Sequence, residues 1–98
     1  MSLRVVLRPQ AEVELLDAAD WYDARREGLG DQLVICVEAV LDRVAREPES
    51  CATVYREVRR ALVRRFPYCV YYQVESGTLL VLAVAHQRRE PGYWLNRT

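Results

Sequence analysis

The chain has 98 residues, 51% of them apolar, and its fourteen cations are all arginine against fourteen acids, for a formal net charge of zero. That composition excludes global disorder and gives no whole-chain pull toward nucleic acid or membrane. The length fits one domain spanning residues 1–98, and with no lysine present there is no Schiff-base former and every cation stays protonated at working pH.

The predicted elements begin with Leu3 to Leu7, LRVVL, rich in branched residues and read as a strand. Pro9 suits the first turn of a helix, and from Gln10 to about Arg26 the spacing of Ala11, Leu15, Ala18 and Tyr22 makes one apolar stripe. The GLG at Gly28 to Gly30 breaks it. A second helix runs from Leu29 or Asp31 to Glu47 on the stripe Leu33, Val37, Val40 and Val44, and Pro48 stops it. The short break between the helices predicts an antiparallel hairpin, with Trp21 and Tyr22 where it meets the sheet.

Pro48 to Thr53 reads as loop, followed by strands at about Glu57 to Phe66, Tyr68 to Glu75 and Leu79 to Gln87. The expected fold class is α+β, ordered β-α-α-β-β-β, an antiparallel twisted sheet with a helical hairpin packed on one face. Glu12 to Glu49 carries eleven acids and four arginines, whereas Arg56 to Arg97 carries eight arginines and three acids. Any anionic ligand is therefore expected on the second half. Three cysteines, Cys36, Cys51 and Cys69, lack metal spacing and point to reduced thiols in a cytoplasm. No apolar run is long enough to span a membrane.

The last two strands fix the most specific expectation. A two-residue loop pairs Glu75 with Thr78, so Tyr72 faces Val81, Val70 faces Ala83, Tyr68 faces Ala85, and Arg65 falls opposite Arg88. Pro67 is where a bulge could shift this pairing. Strand parity puts Leu80, Leu82, Val84, His86 and Arg88 on one face. Arg64, Arg65, Tyr68, His86 and Arg88 are then expected to meet at one edge. Arginine forks suit a phosphodiester, histidine suits proton transfer near neutrality, and a 2′-hydroxyl nucleophile needs no metal. Tyr68, Tyr71, Tyr93 or Trp94 could stack on a base. The same residues read equally well as solvated strand-end groups, as sheet packing for Tyr71 and Tyr72, and as a tail anchor for Trp94.

Three stretches carry a family resemblance: AEVELLDAADWYDARREGLGDQL, RRALVRRFPYCVYYQV and LLVLAVAHQRREPGYWLNR. Together they resemble the RelE/ParE superfamily of small bacterial toxins over nearly the whole chain. Its most specific parts are Arg65 to Tyr72 and Val81 to Trp94. The resemblance implies a plasmid-stabilisation type toxin encoded beside a cognate antitoxin, whose disordered tail folds on the toxin. RelE-like members cleave messenger RNA on the ribosome, which here implies Arg65 and His86 as catalytic residues, with Arg88 beside them. ParE-like members poison DNA gyrase. The departures, no lysine and no terminal catalytic tyrosine, favour the ParE label, with the interferase and an inactive family member as alternatives. Arg64, Arg88, Arg89, Tyr68, Tyr93 and Trp94 are the expected substrate- or antitoxin-binding residues. No metal or cofactor is expected, and the assembly is expected to be a homodimer or a toxin–antitoxin hetero-oligomer.

Overall fold

Pro9 opens the first helix at the position where a fixed backbone angle helps and a missing N–H costs nothing. In the computed structural model, which describes residues 2–98, the order is β1 (Arg4–Leu7), α1 (Pro9–Asp23), α2 (Leu29–Arg46), β2 (Thr53–Tyr55), β3 (Val58–Leu62), β4 (Tyr68–Glu75) and β5 (Thr78–His86). A short 3-10 turn, Leu95–Arg97, ends the chain.

The helices pair through a specific joint. Gly28 adopts a left-handed backbone (φ 86°) that releases the chain from α1. Asp23 at the end of α1 then accepts from the Gly30 N–H at 2.7 Å, setting a carboxylate on the amino end of α2. A Cβ at Gly30 would strike the Ala19 carbonyl oxygen and lie 2.8 Å from the Asp23 carboxylate, so only glycine lets the helices approach this closely.

The strands form one five-stranded sheet in the order β1-β5-β4-β3-β2. The α+β class and the helical hairpin agree with expectation. The structure adds β2, a three-residue edge strand, and pairs β1 parallel to β5, so the sheet is mixed rather than wholly antiparallel. The predicted strand from Glu57 is shorter than expected, because the chain leaves the ladder after Leu62.

Each face of the sheet has its own apolar cluster. Leu33, Val37, Val40, Leu41 and Val44 of α2 join Ala11 and Ala18 of α1 against Val70, Tyr72, Leu79, Val81 and Val84. On the opposite face Val58, Cys69, Tyr71, Leu80, Leu82, Ala83 and Ala85 are roofed by Trp94 of the tail. Strand β5 lies between neighbours and under two layers, which is why Leu79 to Ala85 is apolar without alternation.

The register of the last hairpin corrects the expected one. Glu75 pairs with Thr78 and Tyr72 with Val81, as the short loop dictates. Beyond that, Tyr71 pairs with Ala83, Val70 with Val84 and Tyr68 with His86, leaving Leu82 as an extra residue on β5. This bulge sits in the strand centre, not at Pro67, and turns every later side chain to the other face. Leu80 and Leu82 therefore lie on the tail side, while Val84 lies on the helix side, and the predicted common face for residues 80 to 88 does not form.

Candidate site residues and the two clefts

The bulge delivers His86 to the helix side, at the exposed end of β5, where its ring meets Tyr68 edge-on at 5.4 Å. Tyr68 is in turn 6.1 Å from Tyr22 of α1, and burial raises its pKa above the ordinary tyrosine value. His86 Nδ1 accepts from the Arg88 backbone N–H at 3.1 Å, which leaves Nε2 as the unengaged ring nitrogen. Tyr22, Tyr68 and His86 line a cleft of about 650 Å³ together with Glu14, Asp17, Ala18 and Trp21 of α1 and with Arg89. Trp21 is half exposed and carries the Arg25 guanidinium 3.3 Å over its ring, so only Tyr22 of that pair packs on the sheet.

Arg64 and Arg65 do not join this cleft. After Leu62 the chain turns: the Val63 N–H donates to the Tyr68 carbonyl and the Tyr68 N–H to the Phe66 carbonyl. Arg65 takes a left-handed backbone (φ 70°) at the tip of that turn. Phe66 is drawn into the core, and Arg64 and Arg65 line a separate groove against Ile35, Cys36, Ala39 and Arg43 of α2. The expected apposition of Arg65 and Arg88 is thus absent. Pro67 already faces Gln87, whose N–H donates to its carbonyl at 2.8 Å, and Arg88 lies exposed in the turn that follows. Of the residues expected to converge, the structure brings Tyr68 and His86 together, sets Arg88 on the backbone beside them, and turns Arg64 and Arg65 toward α2.

The tail residues have distinct tasks. Tyr93 donates its hydroxyl to Glu14 Oε2 at 2.8 Å, and Arg97 Nη1 lies 2.9 Å from Glu14 Oε1. Burial, reinforced by Glu14, pushes the Tyr93 pKa well above its usual value. Arg89 stacks over Tyr93 at 4.0 Å. Trp94 is 2% exposed and tilts over Tyr71 with ring centroids 4.8 Å apart, so it anchors the tail on the sheet.

Sharing a cavity with Trp94 is a residue the sequence alone does not single out. Arg60 pairs across the ladder with Tyr71, on the same face as Val58, and its guanidinium is held beside the Cys69 thiol, which raises its pKa. Arg60 and Arg89 line a second cavity of about 400 Å³ with Tyr71, Gln87 and Trp94. The signal that could have found Arg60 is parity with Val58 in VRRAL, once the limits of β3 are known. Burial raises the Tyr71 pKa as well, which keeps its hydroxyl protonated through neutrality.

Comparison with known proteins agrees with this architecture. Residues 5–91 match the family described as ParE toxin of type II toxin-antitoxin system, parDE. The chain is 27% identical over 92 residues to Toxin ParE2 of Mycobacterium tuberculosis, covering 93% of this chain and 88% of that protein. Among solved structures, the chromosomal ParDE toxin–antitoxin system of P. aeruginosa superposes with TM-score 0.66 at 13% identity, covering 87% of this chain and 96% of that one. The RelBE2 toxin–antitoxin complex of Mycobacterium tuberculosis gives TM-score 0.62 at 20% identity, with 88% and 99% coverage. With the family match spanning most of the sequence, this chain belongs to the ParE toxin family, within the RelE/ParE superfamily.

Proposed function

We propose that this chain is the toxin of a type II module, that a cognate antitoxin holds it silent, and that it arrests growth by binding DNA gyrase. The observation that carries the gyrase reading is the separation of Arg65 from His86. Arg65 lines the α2 groove and His86 the α1 cleft, so no arginine of RRFPY stands beside the one imidazole. A phosphodiester cleaver built on the expected Arg65 and His86 needs both on one scissile group, with reacting atoms held at near-contact distance. A poison that acts by binding needs neither. Its affinity would come from exposed apolar and cationic surface, of which α1 offers Val13, Leu16 and Trp21 with Arg25.

The interferase reading has one observation in its favour. His86 keeps Nε2 unengaged in a cleft that also holds Tyr68 and Arg89. In that reading the chain is a metal-independent endoribonuclease, with His86 moving the proton and Arg89 holding the phosphate.

Two assays decide. The purified chain is added to a gyrase supercoiling reaction, and messenger RNA from induced cells is mapped by primer extension. Loss of supercoiling without ribosome-dependent cuts, unchanged in His86→Ala, is the expected result. Cuts that vanish in His86→Ala overturn it in favour of the interferase. Harmless over-expression without antitoxin marks an inactive member.

A further inference from the structure

Among the described residues, two buried side-chain nitrogens have no hydrogen-bond partner, and both belong to residues of the second cavity: Arg60 Nε and Trp94 Nε1. Buried donors are almost always satisfied, so two orphans around one space of about 400 Å³ point to an absent acceptor. The nearest acceptors are the Tyr71 hydroxyl, beside both Arg60 and Trp94, and the Cys69 thiol, beside Arg60. The cavity wall holds Arg60, Arg89 and Gln87 but no carboxylate, and the ion pair found among the described residues, Arg97 with Glu14, lies elsewhere. Neither the Cys69 thiol nor the Tyr71 hydroxyl beside Arg60 is a carboxylate, and burial raises the Tyr71 pKa, so that hydroxyl brings no counter-charge. A partly buried cation without a counter-charge is satisfied best by an anion that brings its own lone pairs.

We propose that this cavity is a carboxylate subsite, taking an aspartate or glutamate side chain from a peptide segment of a partner protein, with Arg60 as the fixed cation and Trp94 Nε1 as a neutral donor. The rim decides for a peptide over a nucleic acid strand. Val54 and Leu95, 50% and 44% exposed, flank the opening and offer apolar contact on either side of an inserted acid. The adjoining groove sets two carboxylates, Glu57 and Glu75, against one cation, Arg56, a balance that disfavours a continuous polyanion but tolerates a single charge. Trp94 lines the cavity with Arg60 but belongs to the tail, outside the strands, so a small shift of residues 91 to 95 would widen the entrance without disturbing the ladder. The inference stands apart from the gyrase reading and holds whichever target the toxin attacks.

The test uses the full chain, isotope-labelled, with the two indole N–H resonances assigned through Trp21→Phe, since Trp21 lies outside the cavity. Four probes are titrated: a capped peptide with one glutamate flanked by leucines, its glutamine counterpart, inorganic phosphate, and oligouridylate. The glutamate peptide is expected to move the Trp94 indole signal and to bind about ten-fold tighter than the glutamine peptide, the value of one charge-assisted hydrogen bond. Arg60→Gln should erase that preference and Arg4→Gln, exposed on β1 and outside the cavity, should keep it. Equal binding of the two peptides, or an undiminished preference in Arg60→Gln, overturns the proposal. A Trp94 shift driven by phosphate or oligouridylate at lower concentration than the glutamate peptide overturns it too, in favour of a phosphoryl site. The glutamate-to-glutamine ratio is read on the unsubstituted chain, so a misfolded Arg60→Gln leaves the test intact.

Discussion

Glu14 and Arg97, 83 residues apart in sequence, meet with Nη1 2.9 Å from Oε1, and their contact fastens the end of the chain to the first helix. The same carboxylate accepts the Tyr93 hydroxyl and the Val84 N–H, while Arg97 Nη1 also donates to the Leu82 carbonyl. The location has a reason. Strand β1 ends opposite Val81, so beyond it β5 has no strand neighbour on that side. Glu14 and Arg97 supply the acceptor and the donor that a longer β1 would have supplied. The two side chains are 18% and 14% exposed, so solvent screens the pair only in part.

Glu14→Ala is therefore expected to destabilise by about 1–3 kcal/mol, because it strands partly buried donors as well as removing a charge. Arg97→Ala should cost less, since Glu14 keeps Tyr93 and Val84. The double variant should show a favourable coupling on the order of 1 kcal/mol in a urea-denaturation cycle. Strictly additive losses would mean that the pair does not act as a unit.

Much of the fold can be read from the sequence because the helices bury one stripe each. Ala11, Ala18, Leu33, Val37, Val40 and Val44 are all in the core as their spacing predicts. Strand β2 is not legible, because Thr53, Val54 and Tyr55 are exposed and too few to show a period. The bulge is hidden for a different reason. Leu82 and Ala83 are both apolar and both fully buried on one face, so no glycine or polar residue marks the slip. That single extra residue decides where His86 points, and with it the composition of the α1 cleft. Arg60 is not legible because five arginines crowd residues 56 to 65, and only the ladder shows which of them pairs with Tyr71 and shares a cavity with Trp94.

Alkaline pH should unfold the chain in a defined window. Burial raises the pKa of Tyr68, Tyr71, Tyr72 and Tyr93 above the ordinary value near 10, Tyr72 while donating its hydroxyl to the Pro48 carbonyl at 2.8 Å. The folded state thus holds these protons more tightly than the unfolded chain. Their contribution is fully present below about pH 10 and falls as pH rises from there toward the raised folded values. The urea midpoint should be flat from neutrality to about pH 9 and drop above about pH 10. Tyrosinate absorbance should rise in step with loss of near-ultraviolet circular dichroism. Full ionisation of all six tyrosines before any loss of structure would show that these hydroxyls are not protected.

Arg65 offers a test of strain against use. Its left-handed backbone (φ 70°) costs a non-glycine residue about 1–2 kcal/mol, whereas glycine adopts it freely. Glycine also loosens the unfolded chain, which returns about 0.5–1 kcal/mol of that gain. Arg65→Gly should therefore leave the protein as stable as before or up to about 1 kcal/mol more stable. Arg64→Gly, one residue earlier and without a positive φ, should lose about 0.5–1 kcal/mol. Equal losses at both positions in chemical denaturation would mean that the turn holds Arg65 without strain. Toxicity in cells supplies the second readout. A chain that is more stable yet harmless assigns the Arg65 guanidinium to a binding surface along the α2 groove, the pattern of strain retained for contact. A chain that is more stable and equally toxic makes the left-handed turn a device for burying Phe66 and nothing more.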